Sequence, residues 1–256
     1  MKSISLYVKN GSWLTKLHPF SKCFYLIAAI ATPLIIGKFY MFLATIAVSI
    51  ILLASCRLLR RAYPLITFSF TIILTIIIIQ GIFNQHNASI LFSIGSVHFY
   101  REGLLYSARI GFNILNMLLS FAVLILTTDP QELVTELEKK GMSPKFGYII
   151  NSVFQLMPQM TGTMHTIQDA QRARGLETEG KLLTRMKAFI PLISPVVMSQ
   201  LTETRERAIA LEVRGFSANV KKTYLYDHPY AAGDQIMKWC SILAVIAAIV
   251  LRFLWL

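Results

Sequence analysis

CFYLIAAIATPLII (residues 23–36) and FYMFLATIAVSIILLASC (residues 39–56) are uncharged apolar runs separated only by Gly37 and Lys38. Two residues are too short a link for anything but a tight helical hairpin, and runs of this kind belong in a hydrocarbon layer. A third run follows at residues 63–83, with TFSFTIILTIIIIQGIF at its core, a less apolar fourth at residues 104–127, and a fifth at residues 236–256. The expected fold is therefore an all-α polytopic membrane protein. It has about five transmembrane helices and one charged domain of two to three amphipathic helices.

Composition agrees with that reading. Of 256 residues, 55% are hydrophobic and 15% charged, which is more apolar than a soluble domain of this length. The net charge of +12 does not call for nucleic acid, because much of the excess lies in short loops beside apolar runs, where Lys and Arg set topology. Cys23, Cys56 and Cys240 lie in or beside apolar runs without CxxC spacing, and read as small apolar residues. Residues 1–22 are polar and basic and lead directly into paired apolar runs, so the first span is expected to remain in the mature chain.

Orientation follows from the basic residues. Lys2, Lys9, Lys16 and Lys22 precede span one, Arg57, Arg60 and Arg61 lie between spans two and three, and many more follow span four. All three regions are expected to face the cytoplasm, leaving loop 84–103 and the C-terminus outside. The chain then divides into residues 1–127 with four spans, a cytoplasmic domain at 128–222, and a linker and last span at 223–256.

Within the charged domain, Asp129 can cap a helix whose first turn holds Pro130 and Glu132, and which should stop at Gly141. Ser143 and Pro144 repeat the pairing and open a longer helix, which Pro158 should kink or divide before Gly175. Ser194 and Pro195 are expected to open a third, about 30 Å long, ending at Gly215. Val197, Leu201, Thr204, Ala208 and Leu211 fall on one face of it. Glu203, Arg207 and Arg214 fall on another, expected to be free for a partner.

The most informative motif is a duplicated helix ending, Gln171-Arg172-Ala173-Arg174-Gly175-Leu176 and Leu211-Glu212-Val213-Arg214-Gly215-Phe216. One copy reads as an ordinary helix stop: Arg favours the negative end of the helix dipole, Gly accepts a left-handed conformation, and the next apolar residue closes a Schellman contact. Two copies in the charged block of a five-span protein resemble the paired Ala-Arg-Gly signatures of the T component of energy-coupling factor (ECF) transporters. Leu17 to Lys22 is similar to that family's opening before span one, Thr127-Thr128-Asp129-Pro130 to its junction after span four, and Pro191 to Gly215 to its second coupling helix. Three positions depart from the pattern: Val213 replaces the usual Ala, His18 stands where an acidic residue is common, and Gln155 where Arg often stands.

The resemblance implies a non-catalytic coupling subunit for uptake of a vitamin or transition-metal ion. Its partners are two P-loop ABC ATPases and a substrate-binding membrane S component. Ala173, Arg174, Gly175, Val213, Arg214 and Gly215 are then the ATPase-docking residues. ATP and Mg are bound by the partner ATPases, and no cofactor is expected in this chain, which has no GxxxxGK[ST] sequence. The chemistry suits the role, since Arg offers a permanent charge on a planar fork of donors and the adjoining Gly permits close approach.

A second constellation lies in span four, where Glu102, Tyr106, Arg109, Asn113, Asn116 and Ser120 form a polar stripe. Arg109, Asn113 and Asn116 read either as helix-packing residues, the favoured reading, or as a contact to the S component. His18, His86, His98, His165 and His228 show no ligand spacing, so no metal site is expected. An intramembrane enzyme would need a nucleophile, ligands or paired carboxylates near the membrane plane, and spans one, two, three and five contain no Asp, Glu or His. A secondary carrier would show internal repeats. A membrane scaffold for another cytoplasmic complex is the alternative that needs only a docking surface.

Overall fold

His18-Pro19 opens the first helix. The computed structural model describes residues 7, 11–83, 90–94, 97–175, 182–218, 220, 223–224 and 230–254. Helix α1 (Pro19–Ile36) starts with His18 as N-cap, its ring accepting from the Phe20 N–H, and ends at Gly37 in the left-handed region, φ 69°. The start lies four residues before the expected one, so Lys22 belongs to the helix instead of the preceding loop, where its charge was expected to set topology. It is buried, and its Nζ donates to the Thr127 carbonyl at 2.8 Å.

Helix α2 (Phe39–Ser55) turns tightly into α3 (Leu59–Phe83). Arg57 makes that turn with φ 55°, the one non-glycine residue at positive φ among the described residues. Its N–H donates to Ala54 and that of Leu58 to Leu53, which completes a Schellman ending. Leu53 and Leu58 are both buried, and their contact offsets the cost of about 1 kcal/mol for placing a side chain there. Arg60 and Arg61 therefore lie in the first turn of α3, not in a loop.

Loop 84–103 contains the only strands among the described residues, an antiparallel hairpin of β1 (Ile90–Ile94) and β2 (Val97–Tyr100) with Phe92 opposite Phe99 and Ile94 opposite Val97. Helix α4 (Arg101–Thr127) follows, then α5 (Pro130–Lys139), α6 (Pro144–Ala173), α7 (Leu182–Val213) and α8 (Ala232–Leu254). Asp129 caps α5 as expected, its carboxylate accepting from the Gln131 N–H at 3.0 Å. Ser143 takes the N-cap position of α6, but its hydroxyl makes no cap bond.

Of the kink or division expected at Pro158, the division does not occur: α6 runs 30 residues, about 45 Å, with the proline inside it. Pro195 does not open α7, which is already helical at Leu182 and carries Pro191 and Pro195 within it. Each internal proline forfeits a backbone bond. Buried Leu192 and Val196 flank the second of them and hold the helix through that stretch.

The chain forms two compact units, Ser5–Glu136 with His228–Leu256, and a second covering Leu137–Asp227. They divide inside α5, nine residues past the expected start of the charged domain, which was placed by charge and not by packing.

In the first unit, α1, α3 (to Ile82), α4 and α8 are long and apolar enough to cross a membrane, and α2, at 17 residues, reaches about 25 Å. Its polarity runs opposite to that of a soluble domain. Ile27, Ile51, Phe68, Phe70 and Leu243 are exposed, while Ser49, Ser107, Asn116 and Ser120 are wholly buried. Small polar residues between helices and apolar ones outside are the pattern of a bundle in lipid, and the chain is a multi-pass membrane protein.

Candidate functional site

In the unit Leu137–Asp227, α6 packs on α7 and each helix ends in its Arg-Gly pair. At the end of α7 the Gly215 N–H donates to Glu212 and the Phe216 N–H to Leu211, both at 2.9 Å, with Gly215 at φ 69°. That is a complete Schellman ending. At the end of α6 Gly175, φ 88°, donates to Arg172 at 2.9 Å, and Leu176 lies outside the described residues. The closing apolar contact expected of Phe216 is made to another helix: its ring lies 5.1 Å from that of Tyr148 on α6.

Lys140-Gly141-Met142 ends α5 in the same way, Gly141 donating to Glu138 and Met142 to Leu137. A cation followed by a left-handed glycine is thus a general stop here. Arg174 and Arg214 stand out by what surrounds them. Ala173, Arg174, Gly175, Val213, Arg214 and Gly215 are all exposed, and neither arginine side chain makes a hydrogen bond or ion pair among the described residues. Val213, the departure from the signature, is 83% exposed.

The rest of the charged face of α7 is not free. Arg207 donates to the Gln159 amide oxygen at 2.7 Å, and the Gln159 amide nitrogen donates to Glu203 at 2.8 Å, so both charged residues are turned to α6. It is the apolar face that stands open: Val197 and Leu201 are exposed, as are Phe146, Ile149, Val153, Met157 and Met160, which form one stripe along α6. Amphipathic patterning locates an apolar face correctly but presumes that the chain covers it. An exposed apolar stripe of this length marks a surface that meets lipid or another protein.

The polar stripe of α4 turns inward only in its second half: Asn116 and Ser120 are buried, while Tyr106 and Arg109 are exposed. Asn116 is fully buried and its amide donates to the Ala29 carbonyl of α1 at 2.8 Å, while Arg109 donates to the Gly37 carbonyl at 2.6 Å. The amide oxygens of Asn113 and Asn116 are both buried without a hydrogen-bond partner among the described residues. Asn116→Leu, which removes the donor to Ala29, is therefore expected to lower thermal stability in detergent by about 1 kcal/mol, whereas Asn113→Leu, which removes no inter-helix bond seen among the described residues, should be close to neutral. Equal losses in the two melting curves would contradict this assignment.

Sequence reasoning missed one cluster. The buried ring of His18 has its Nε2 3.0 Å from Glu136 Oε2 on α5, and its backbone N–H donates to Asp234 Oδ1 on α8 at 2.6 Å. Asp234 Oδ2 also accepts from the Ala231 N–H at 2.9 Å, which caps α8. Tyr230 stacks on the imidazole at 4.1 Å, and its phenol pKa is raised by burial and by Glu136 and Asp234. The available signal was His18-Pro19, a cap and first-turn pair like Ser143-Pro144.

A family model described as a cobalt transport protein, CbiQ, matches residues 10–225. The chain is 24% identical, over 97% of its length and 96% of the relative's, to the energy-coupling factor transporter transmembrane protein EcfT of Lactococcus lactis. It is similar to the EcfT proteins of Clostridium kluyveri, at 25% identity over 99% of this chain and 97% of that one, and of Brevibacillus brevis, at 28% over 95% and 96%.

Proposed function

Because the chain belongs to the CbiQ family and is the transmembrane T component of an ECF transporter, we propose that it passes motion from two cytoplasmic P-loop ATPases to a substrate-binding membrane subunit. The cargo is a vitamin or a transition-metal ion, selected by that membrane subunit. The observation that carries this reading is the pair of exposed arginines, each beside a left-handed glycine at the end of a helix about 45 Å long. Each guanidinium offers a directional, permanently charged fork to one ATPase.

The open apolar stripe of α6 supports a second contact, with the membrane subunit or the lipid beside it. Loop charges support placing residues 128–222 in the cytoplasm and residues 84–103 outside. With the three natural cysteines removed, single cysteines in place of Ser89 and Glu179, both outside the described residues, should be labelled by an impermeant reagent from opposite faces of sealed vesicles. Labelling of both from one face would end this topology. In vesicles holding the whole complex, uptake should require ATP on the face that labels at position 179, and uptake persisting without the ATPases would sink the coupling role in favour of a self-contained carrier.

A further inference from the structure

Glu136 is the last residue of the membrane-spanning unit before the chain passes into the unit Leu137–Asp227. We propose that His18, Glu136 and Asp234 form the positioning joint at which movement of α5 enters the spans, so that α1, α4 and α8 follow α5 as one body. The inference rests on the coupling role proposed above and assigns its entry point in this chain.

The joint is built for direction, not only for burial. His18 Nδ1 accepts from the Phe20 N–H at 3.2 Å, which leaves the ring proton on Nε2, where it is donated to Glu136. One imidazole thus caps α1 and holds α5 at once. Asp234 likewise serves two helices, accepting from His18 and from the residue ahead of α8. His18, Glu136 and Asp234 are all buried, so displacing α5 without α1 would break a buried hydrogen bond between the two helices.

Beyond the joint, α1 is braced along its whole length. Its N-terminal end holds α4 through Lys22 and Thr127, its middle through Ala29 and Asn116, and its C-terminal end through Gly37 and Arg109. It holds α8 through Asp234 at one end and at the other through Arg252, which donates to the Ile35 carbonyl at 3.0 Å. A push on Glu136 therefore reaches a cross-braced set of three spans.

A merely structural role and a positioning role separate in the double variant His18→Leu, Glu136→Leu, because an apolar pair can replace a buried polar pair and the variant then loses only the cap bond to Phe20, about 1 kcal/mol. In proteoliposomes holding the complete complex, the double variant is expected to assemble and hydrolyse ATP as wild type does. Uptake per ATP hydrolysed should fall about fivefold or more. Glu136→Gln, whose amide oxygen still accepts from Nε2–H, should keep most of it. Wild-type uptake per ATP in the double variant would overturn the proposal.

A measurement without these substitutions guards against a misfolded variant. Spin labels at Gln131 on α5 and Ile27 on α1, in a chain lacking the natural cysteines, should keep one separation in nucleotide-free and ATP-bound complexes. A separation that changes with nucleotide overturns the joint. Should the wild-type chain fail to bring down ATPases at all, the coupling role itself fails and this inference with it, a result distinct from a coupled double variant.

Discussion

The double variant Arg174→Ala, Arg214→Ala is expected to lose both ATPases on purification while its spans stay folded, and to show no ATP-driven uptake. Removing one partner of a desolvated charge contact costs about 2–5 kcal/mol, so each single variant should weaken assembly by more than about tenfold and the pair should abolish it. Lysine at either position should rescue poorly, since it keeps the charge and loses the planar fork. Among the described residues neither side chain holds another group, so the loss is expected to report on docking and not on folding. Co-purification and vesicle uptake read the effect together. Wild-type assembly of the double variant would remove both arginines from the docking role.

The largest loss of stability is expected from Asp234→Leu. Its carboxylate, 1% exposed, accepts from two backbone N–H groups that serve different helices, and an apolar side chain leaves one donor unpaired at the start of α1 and the other at the start of α8. Each stranded donor costs about 1–3 kcal/mol where it is buried, so thermal unfolding in detergent should show a total loss of about 3 kcal/mol. Asp234→Asn, which retains an acceptor, should fall between. A Leu variant that melts with wild type would contradict the capping role.

Much of this fold is legible in the sequence because its signals are local. Apolar runs mark the spans, Asp129 and Pro130 mark the start of α5, and Gly37, Gly141, Gly175 and Gly215 stop helices where a left-handed residue is needed. Arg57 is not legible as such a stop, because the turn there is held by buried Leu53 and Leu58 and not by a glycine. Pro195 misleads for a related reason, since a proline signals a start only where packing does not carry the helix past it.

The site divides along the same line. Arg174 and Arg214 are legible because a repeated local pattern marks them. The joint of His18 with Glu136 and Asp234 is not, since it joins residues 118 and 216 positions apart, and no periodicity connects them. The faces of α7 are legible only in part: Arg214 is exposed as expected, but patterning assumes that a helix turns its apolar side to its own chain. In a subunit that meets lipid and partners, Glu203 and Arg207 bond inward to Gln159 and Val197 and Leu201 are left outward.

Affinity purification of the tagged wild-type chain from its own membranes tests the coupling role most directly. The expected result is a complex containing two P-loop ATPases and one small multi-span membrane protein, which loses the ATPases and keeps the membrane partner when Arg174 and Arg214 are replaced. A chain that purifies without ATPases, or with an unrelated cytoplasmic assembly that survives those replacements, would contradict it and leave a membrane scaffold in its place.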